Sequence, residues 1–407
     1  MGIIVQKYGG TSMANSERVK NVARIVLETQ KKGNDVVVVV SAPAGMTDNL
    51  IKMAKEITPN PQARELDMLL ATGEQTSIAL LAMAIHEANG KAISFTGSQV
   101  GIVTDSSHTK AKIKSIDAEK IKTELNQGKV VIVAGFQGRT ENMDITTLGR
   151  GGSDTTGVAL GVALNADAIE IYTDVDAIYT ADPRIVPSAK KIPFISYEEM
   201  LELAGSGSKV LHIRSVELAA KYGLKIHSRS SFVPDEGTVV KEEDETMEKA
   251  VVRGITHSKN EAKITIVGVP DKPGIAATIF GRVATNNVNV DIIIQNLGMD
   301  GKNDISFTMP SSDLNTALKV CEELKTELGA KEVVSDETIG KVSIVGVGMR
   351  SNPGVAAKMF GALAEAGINI EMISTSEIKI AVVIDKDKVD EAVRVLHSKF
   401  ELDKEVN

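Results

Sequence analysis

The chain has 407 residues, 25% of them charged and 43% hydrophobic, which is ordinary for a globular protein with room for two or three domains. A net charge of -8, with no basic stretch carrying interleaved aromatics, argues against a nucleic-acid partner. A single cysteine, Cys321, excludes a disulfide framework and a thiolate zinc site and fits a reducing, cytoplasmic setting, and no run approaches 18 uninterrupted apolar residues, so no membrane span is expected.

In chain order, Ile3, Ile4 and Val5 read as a strand that enters directly, without a basic leader, and "QKYGGTS" (6–12) follows it. Val19, Val22, Ala23 and Val26 then repeat at helical spacing, which places Gly9 and Gly10 in a strand-to-helix turn. Backbone amides in such a turn converge on an anion, and Lys7 adds a positive charge. The four-residue spacing of a Walker loop is absent.

The runs "DVVVVVSAP" (35–43), "KAISFTG" (91–97), "KVVIVAGF" (129–136) and "AIEIYTDV" (168–175) are short, apolar and β-branched. They suit strands buried on both faces. Helical stretches alternate with them, among them 76–90 and 154–167. Up to residue 232 this predicts an α/β domain with a mainly parallel sheet, whose ligands gather at the carboxyl ends of strands.

"PDEGTVVKEEDETMEK" (234–249) reads as a charged linker. Beyond it the chain repeats itself. Residues 273–293 and 353–373 align at a constant offset of 80 with 9 of 21 positions identical, too many for chance in so short a window. Each copy reads strand, Pro-Gly turn, helix, Asn-containing turn, strand. The free amides after Pro273-Gly274 and Pro353-Gly354 are placed to hold a small carboxylate. A duplicated module behind an enzyme-like domain points to regulation. Cys321, in "ALKVCEELKTEL", reads as a core residue, and the six histidines lack metal spacing, so no metal ligand is assigned.

"TTLGRGGSDTTGVAL" (146–160) sets a second glycine pair before a helix, with Ser153 as the expected N-cap and Asp154 at the positive end of the helix dipole. Arg150 offers a planar fork for a carboxylate. "IYTDVDAIYTADPR" (171–184) brings Thr173, Asp174, Asp182 and Arg184 into a loop after a strand, and "GSGSKVLHIRSVE" (205–217) sets Lys209 behind a glycine-serine loop. Together these segments describe a pocket for a polyanion.

The motifs "KYGGTS", "LLATGEQ", "GFQG", "LGRGGSDTTG" and "YTDV...DPR", in this order and followed by two Pro-Gly modules, closely resemble the aspartokinase family over essentially the whole chain. Tyr8 stands where many members carry Phe, and Ile213 replaces a proline that some carry. The resemblance implies an amino-acid kinase three-layer α/β fold (1–232) and a linker (233–247). It also implies two ferredoxin-like ACT regulatory modules (263–338 and 339–407), with 248–258 able to add a strand to the second. The implied reaction is transfer of a phosphoryl group from ATP, with Mg2+, to the side-chain carboxylate of L-aspartate. Lys7 and Lys209 would stabilise the phosphoryl oxygens, with Asp154 holding the two ammonium groups. Gly9 and Gly10 would donate amides. Ser41, Thr173, Asp174, Tyr179, Asp182 and Arg184 would line the nucleotide site. Thr47, Glu74, Arg150 and Gly151 would bind aspartate. No base is required, because aspartate is already ionised at neutral pH, and one charge on the transferring group is worth roughly 4 kcal/mol at 4 Å and an effective dielectric of 20.

By the same resemblance, lysine and threonine are the expected effectors. Their contacts would come from Asp271, Gly274, Ala276, Asp291 and Gln295 in the first copy and from Asn369, Ile370, Ser376 and Glu377 in the second. The ACT modules would mediate a homo-oligomer, or a hetero-oligomer with a shorter regulatory chain begun at Met247. Two other readings remain: another amino-acid kinase, acting on acetylglutamate, glutamate or a nucleotide, and a non-catalytic amino-acid sensor.

Overall fold

The computed structural model describes residues 2–208, 210–243, 251–298 and 301–404. It divides into two compact units: Met1–Ile178 with Lys191–Ala204 and Lys209–Met247, and Tyr179–Lys190 with Gly205–Ser208 and Glu248–Asn407.

The first unit begins β1 (Ile3–Tyr8), α1 (Ser16–Lys31), β2 (Asp35–Val40), α2 (Met46–Ile57), α3 (Ala63–Leu70), α4 (Thr72–Glu87) and β3 (Ala92–Phe95). It continues β4 (Ile102–Thr104), β5 (Ile113–Ile116), α5 (Glu119–Leu125), β6 (Val130–Ala134), β7 (Gln137–Arg139), β8 (Ile145–Thr147), α6 (Gly152–Leu164) and β9 (Ala168–Thr173). Last come β10 (Phe194–Ser196), α7 (Tyr197–Gly205), α8 (Ile213–Tyr222), β11 (Ile226–Ser230) and β12 (Thr238–Lys241). The four predicted strands β2, β3, β6 and β9 all form. With β1 they belong to one eight-stranded, mainly parallel sheet of order β10-β12-β11-β9-β1-β2-β6-β3.

Both faces of this sheet are covered, so β2 is buried from Val36 to Val40. Val22, Val26, Leu81 and Ile85 of α1 and α4 pack on Val36, Val38 and Ile132. α3 and α4 follow one another so closely that Ala63–Glu87 forms one apolar stretch of 25 residues, of which half of the most apolar window lies inside the core. The opposite face receives α6. At Gly157 an added Cβ would lie 2.7 Å from Ile169 Cδ1 and 3.3 Å from Lys7 Cβ, so glycine allows the helix to approach β1 closely.

A second, smaller sheet, β5-β4-β7-β8, was not expected. The linker expectation also needs correction. Residues 238–241 of the presumed 233–247 linker form β12, which pairs with β11 and β10 inside the main sheet. Its burial alternates because Thr238 and Val240 face the core while the charged residues follow afterwards. Met247 lies outside the described residues.

The second unit contains β13 (Gly254–Ser258), β14 (Glu261–Pro270), α9 (Ile275–Thr285), β15 (Ile293–Leu297), β16 (Lys302–Pro310), α10 (Leu314–Leu328) and β17 (Glu332–Asp336). These are followed by β18 (Ile339–Val345), α11 (Val355–Glu365), β19 (Met372–Thr375), β20 (Lys379–Asp385) and α12 (Val389–Lys399). Two antiparallel sheets result, β15-β16-β14-β17 and β13-β18-β20-β19. Each carries its two helices and its own core, around Ile264, Phe307 and Leu324 in one and Val342, Met359 and Leu396 in the other. Cys321 is fully buried in the first, and burial pushes its thiol up to about 12, as befits a packing residue.

The second module is completed by β13, which pairs along β18 from Gly254 opposite Val345 to Ser258 opposite Lys341. The first module is therefore inserted between the outer strand of the second and the rest of it. The repeat also gives matched ion pairs between modules: Lys263 of β14 reaches Glu371 at 2.5 Å, and its counterpart Lys341 of β18 reaches Asp291.

Candidate active site

Strand β1 delivers Lys7 by simple alternation. Gln6 and Tyr8 point to the opposite face from Lys7. There the Tyr8 ring stacks on Tyr172 at 4.6 Å, and Gln6 Nε2 donates to Glu170 at 2.7 Å and to Thr29 at 2.9 Å. Arg229 closes the network on Glu170 at 3.0 Å. A satisfied buried network of this kind holds a strand in register. Lys7 itself, 8% exposed, turns toward α6 and pairs with Asp154 Oδ1 at 2.5 Å.

Asp154 lies in the first turn of α6, as expected, but the cap differs. Gly151, at φ 70°, is the N-cap and Ser153 lies within the helix, because the left-handed glycine starts the turn two residues earlier. The opening glycine pair also departs from expectation. β1 runs through Tyr8, and the turn after it is a 3₁₀ segment, Gly10–Met13, before Asn15 caps α1. The Gly9 N–H donates to Tyr172 O at 3.2 Å, so its amide is engaged within the protein.

Ser41, just past β2, donates its N–H to Tyr8 O, and Thr47 lies in the first turn of α2. Glu74, in the first turn of α4, is 3% exposed. Its Oε1 accepts the Ala42 N–H at 3.0 Å, while Oε2 is buried with no hydrogen-bond partner among the described residues. Burial pushes this carboxyl up to about 7, against the pull of the Ala42 hydrogen bond.

Arg150 sits on a loop between β8 and α6 and is exposed. The loop is firmly founded. Phe136, at the end of β6, adopts φ 68°, donates its N–H to Thr156 Oγ1 at 3.1 Å and accepts the Leu148 N–H at 2.8 Å. Arg214 donates to Leu148 O at 2.6 Å. His212 packs against Gly151, and its buried Nδ1 has no hydrogen-bond partner among the described residues. Burial lowers the His212 pKa, with Asp154 acting in the opposite direction.

Thr173 and Asp174 follow β9, with the Thr173 hydroxyl closing a turn on Val175. In the first unit, therefore, the carboxyl ends of β1, β2 and β9 bring Lys7, Gly10, Ser41, Thr173 and Asp174 to one edge of the sheet. Tyr179, Asp182 and Arg184 belong to the second unit. There Arg184 forks onto Asp182, with Nη2 to Oδ2 at 2.7 Å, and draws its carboxyl below the usual range. Ala181 and Val186 beside them join the core of the β13-β18-β20-β19 module, and Thr180 Oγ1 lies 2.9 Å from His397 Nε2. Lys209 lies outside the described residues. No cluster of three or more histidine, cysteine or acidic side chains suited to a metal occurs among the described residues.

Of the expected effector residues, Asp271, Gly274 and Ala276 flank the start of α9, where Asp271 accepts from Asn303 at 3.0 Å and Gly274 caps the helix at φ 95°. Asp291 is taken by Lys341, and Gln295 lies on the edge strand β15. Asn369 and Ile370 precede β19. Ser376 and Glu377 form the turn after it, Glu377 pairing with Arg350 at 3.0 Å. Sequence reasoning missed Asp67, Phe136 and His212 around the site. A carboxylate in the apolar stretch "ELDMLL" was the available signal for the first.

The chain matches the amino acid kinase family over residues 2–229 and the ACT domain over 264–324 and 342–400. It is 53% identical over 404 residues to an aspartate kinase of Stutzerimonas stutzeri, covering 99% of this chain and 98% of that one. It is 49% identical to the aspartokinase of Corynebacterium glutamicum over 407 residues, covering 99% and 97%. Among solved structures, E. coli aspartokinase III in complex with aspartate and ADP superposes with a TM-score of 0.83 at 27% identity, covering 98% of this chain and 99% of that one. With a kinase match over more than half its length and end-to-end likeness to these relatives, the chain belongs to the aspartate kinases of the amino acid kinase family.

Proposed function

We propose that this chain transfers the γ-phosphoryl group of ATP to the side-chain carboxylate of L-aspartate, giving 4-phospho-L-aspartate, the first step toward lysine, threonine and methionine. The observation that carries it is the buried Lys7–Asp154 pair at the carboxyl edge of the sheet. Two anions must meet, so positioning and neutralisation supply the catalysis. Lys7 and Lys209 stabilise the charge on the transferring oxygens, and Asp154 fixes the Lys7 ammonium. Gly10 supplies an amide. Ser41, Thr173 and Asp174 hold the nucleotide at the carboxyl ends of β2 and β9. Mg2+ travels with ATP, bound by phosphates and water. Coupled assay of ADP release with aspartate, acetylglutamate and glutamate tests the reading; turnover with acetylglutamate or glutamate instead of aspartate would overturn it.

Aspartate is held at both ends: Arg150 and Gly151 take a carboxylate, Thr47 adds a hydroxyl, and Glu74 takes the α-ammonium. Only ionised Glu74 can do this. As pH rises through about 7 the carboxyl loses its proton, so kcat/KM for aspartate should rise across that window while kcat/KM for ATP stays flatter. In Glu74→Gln the step near pH 7 should vanish. Its persistence in that variant would assign the titration elsewhere.

The two modules bind lysine and threonine as feedback effectors and mediate assembly, with a second copy or with a shorter chain begun at Met247. An inhibitor acts only by preferring the inactive state. Lysine and threonine together should inhibit more strongly than either alone, and Gln295→Ala and Ser376→Ala should each shift the inhibition curve to higher effector concentration. Superimposable curves for both variants and the parent would count against these positions.

A further inference from the structure

Asp67 has no role in the chemistry above, yet its surroundings point at one of the substrate's anchors. It lies in α3 with 0% exposure. Such a carboxylate needs every lone pair engaged. His108 Nδ1 lies 2.8 Å from Oδ2, the Thr109 N–H donates to both oxygens at 3.1 and 3.0 Å, and the Thr147 hydroxyl donates to Oδ1 at 2.5 Å. Three separate segments, α3, the loop 105–111 and the end of β8, thus meet on one side chain.

Two of the three partners of Asp67, Thr147 and Thr109, lead to the arginine loop. Thr147 ends β8, three residues before Arg150, and its carbonyl accepts the Ala111 N–H at 2.9 Å. Thr109, held at φ 66°, places its carbonyl where a Cβ on Gly149 would approach to 3.0 Å. Arg214 ties Leu148 O to Ala111 O, at 2.6 and 3.2 Å. The other end of the β7–β8 hairpin is fastened to the same helix, by Arg64 to Asp144 at 2.8 Å.

We infer that Asp67, acting through Thr147 and the 105–111 loop, is a positioning residue that fixes Arg150 for the substrate carboxylate. The inference rests on the assignment of Arg150 to aspartate proposed above. A displacement of about 1 Å in such a group is enough to lower activity on the order of a hundredfold.

The test measures KM for aspartate and for ATP, with melting temperature, in Asp67→Asn, Thr147→Val, Thr147→Ser, Arg150→Lys and the Asp67→Asn/Arg150→Lys double variant. Asp67→Asn and Thr147→Val should each raise KM for aspartate by about tenfold and leave KM for ATP within about twofold, while Thr147→Ser, which keeps the hydroxyl, stays near the parent. In the Arg150→Lys background, Asp67→Asn should add less than about threefold, because both changes act on one contact. Equal rises in both KM values, or the same factor in both backgrounds, overturns the positioning role. If Asp67→Asn fails to fold, Thr147→Val, which removes a single hydroxyl, carries the decision. Arg150→Lys without a selective rise in aspartate KM overturns the Arg150 assignment and this inference with it. A selective rise there, without one in Thr147→Val, overturns the inference alone.

Discussion

Lys7→Ala should lower kcat by about a thousandfold or more, the scale seen when a single preorganised charge or donor is taken from a transition state. Turnover is read directly as ADP release at saturating aspartate and ATP. The variant also strands Asp154, whose carboxylate is 12% exposed and whose Oδ1 has no hydrogen-bond partner among the described residues apart from the lysine ion pair. A broken buried pair typically costs about 3–5 kcal/mol, so the melting temperature should fall as well. The two effects separate in Lys7→Ala/Asp154→Asn. Neutralising the stranded carboxylate should recover most of the stability and none of the rate. A double variant that regains near-parental kcat would show that Lys7 serves the fold alone.

Gly151→Ala should be the most damaging single methyl in the site. Gly151 sits at φ 70°, and a Cβ there would lie 2.0 Å from His212 Cγ and 2.2 Å from Cδ2. The left-handed conformation alone costs roughly 1–2 kcal/mol for a residue with a side chain, and overpacking adds roughly 1–3 kcal/mol. Relief requires His212 or the start of α6 to move, and Arg150 and Asp154 flank that start. KM for aspartate should rise at least about tenfold, together with a lower melting temperature. Gly223→Ala is the control. Its φ is 66°, but nothing lies within 4 Å of the added carbon, so it should lose about 1 kcal/mol of stability and keep the parental KM. Similar kinetics in the two variants would mean that the contact with His212 is irrelevant to the substrate.

Where the local pattern and the tertiary environment agree, the sequence was easy to read. Val36 to Val40 suited a strand buried on both faces, and the run expected to be helical over 154–167 forms α6, Gly152–Leu164. Lys7 and Asp154 were legible because a glycine turn, a helix start and opposite charges converge. Harder features have three physical reasons. Strands such as Gln137–Arg139 and Ile145–Thr147 span three residues, too few for a period to show. β12 was hidden by the charges that follow it, since its two inward residues are all that faces the core. Asp67 reads as a surface charge until the loops that meet on it are folded, and the amide of Gly9 looks available until β9 brings Tyr172 beside it.

The insertion of one regulatory module inside the other has a consequence for the nascent chain. β13 leaves the ribosome long before β18, its hydrogen-bonded neighbour in the sheet, and the whole first module is made in between. At roughly 5–20 residues per second, synthesis of the intervening stretch takes on the order of ten seconds. Throughout that time Ile255 and its flanking backbone groups have no native strand to join, and an unpaired apolar strand invites wrong partners. The chain carries its own insulation in the charged residues on either side, Lys241-Glu242-Glu243 before and Lys259 after. A cell making much of this protein would meet its aggregation hazard there, in a strand waiting for a partner not yet translated.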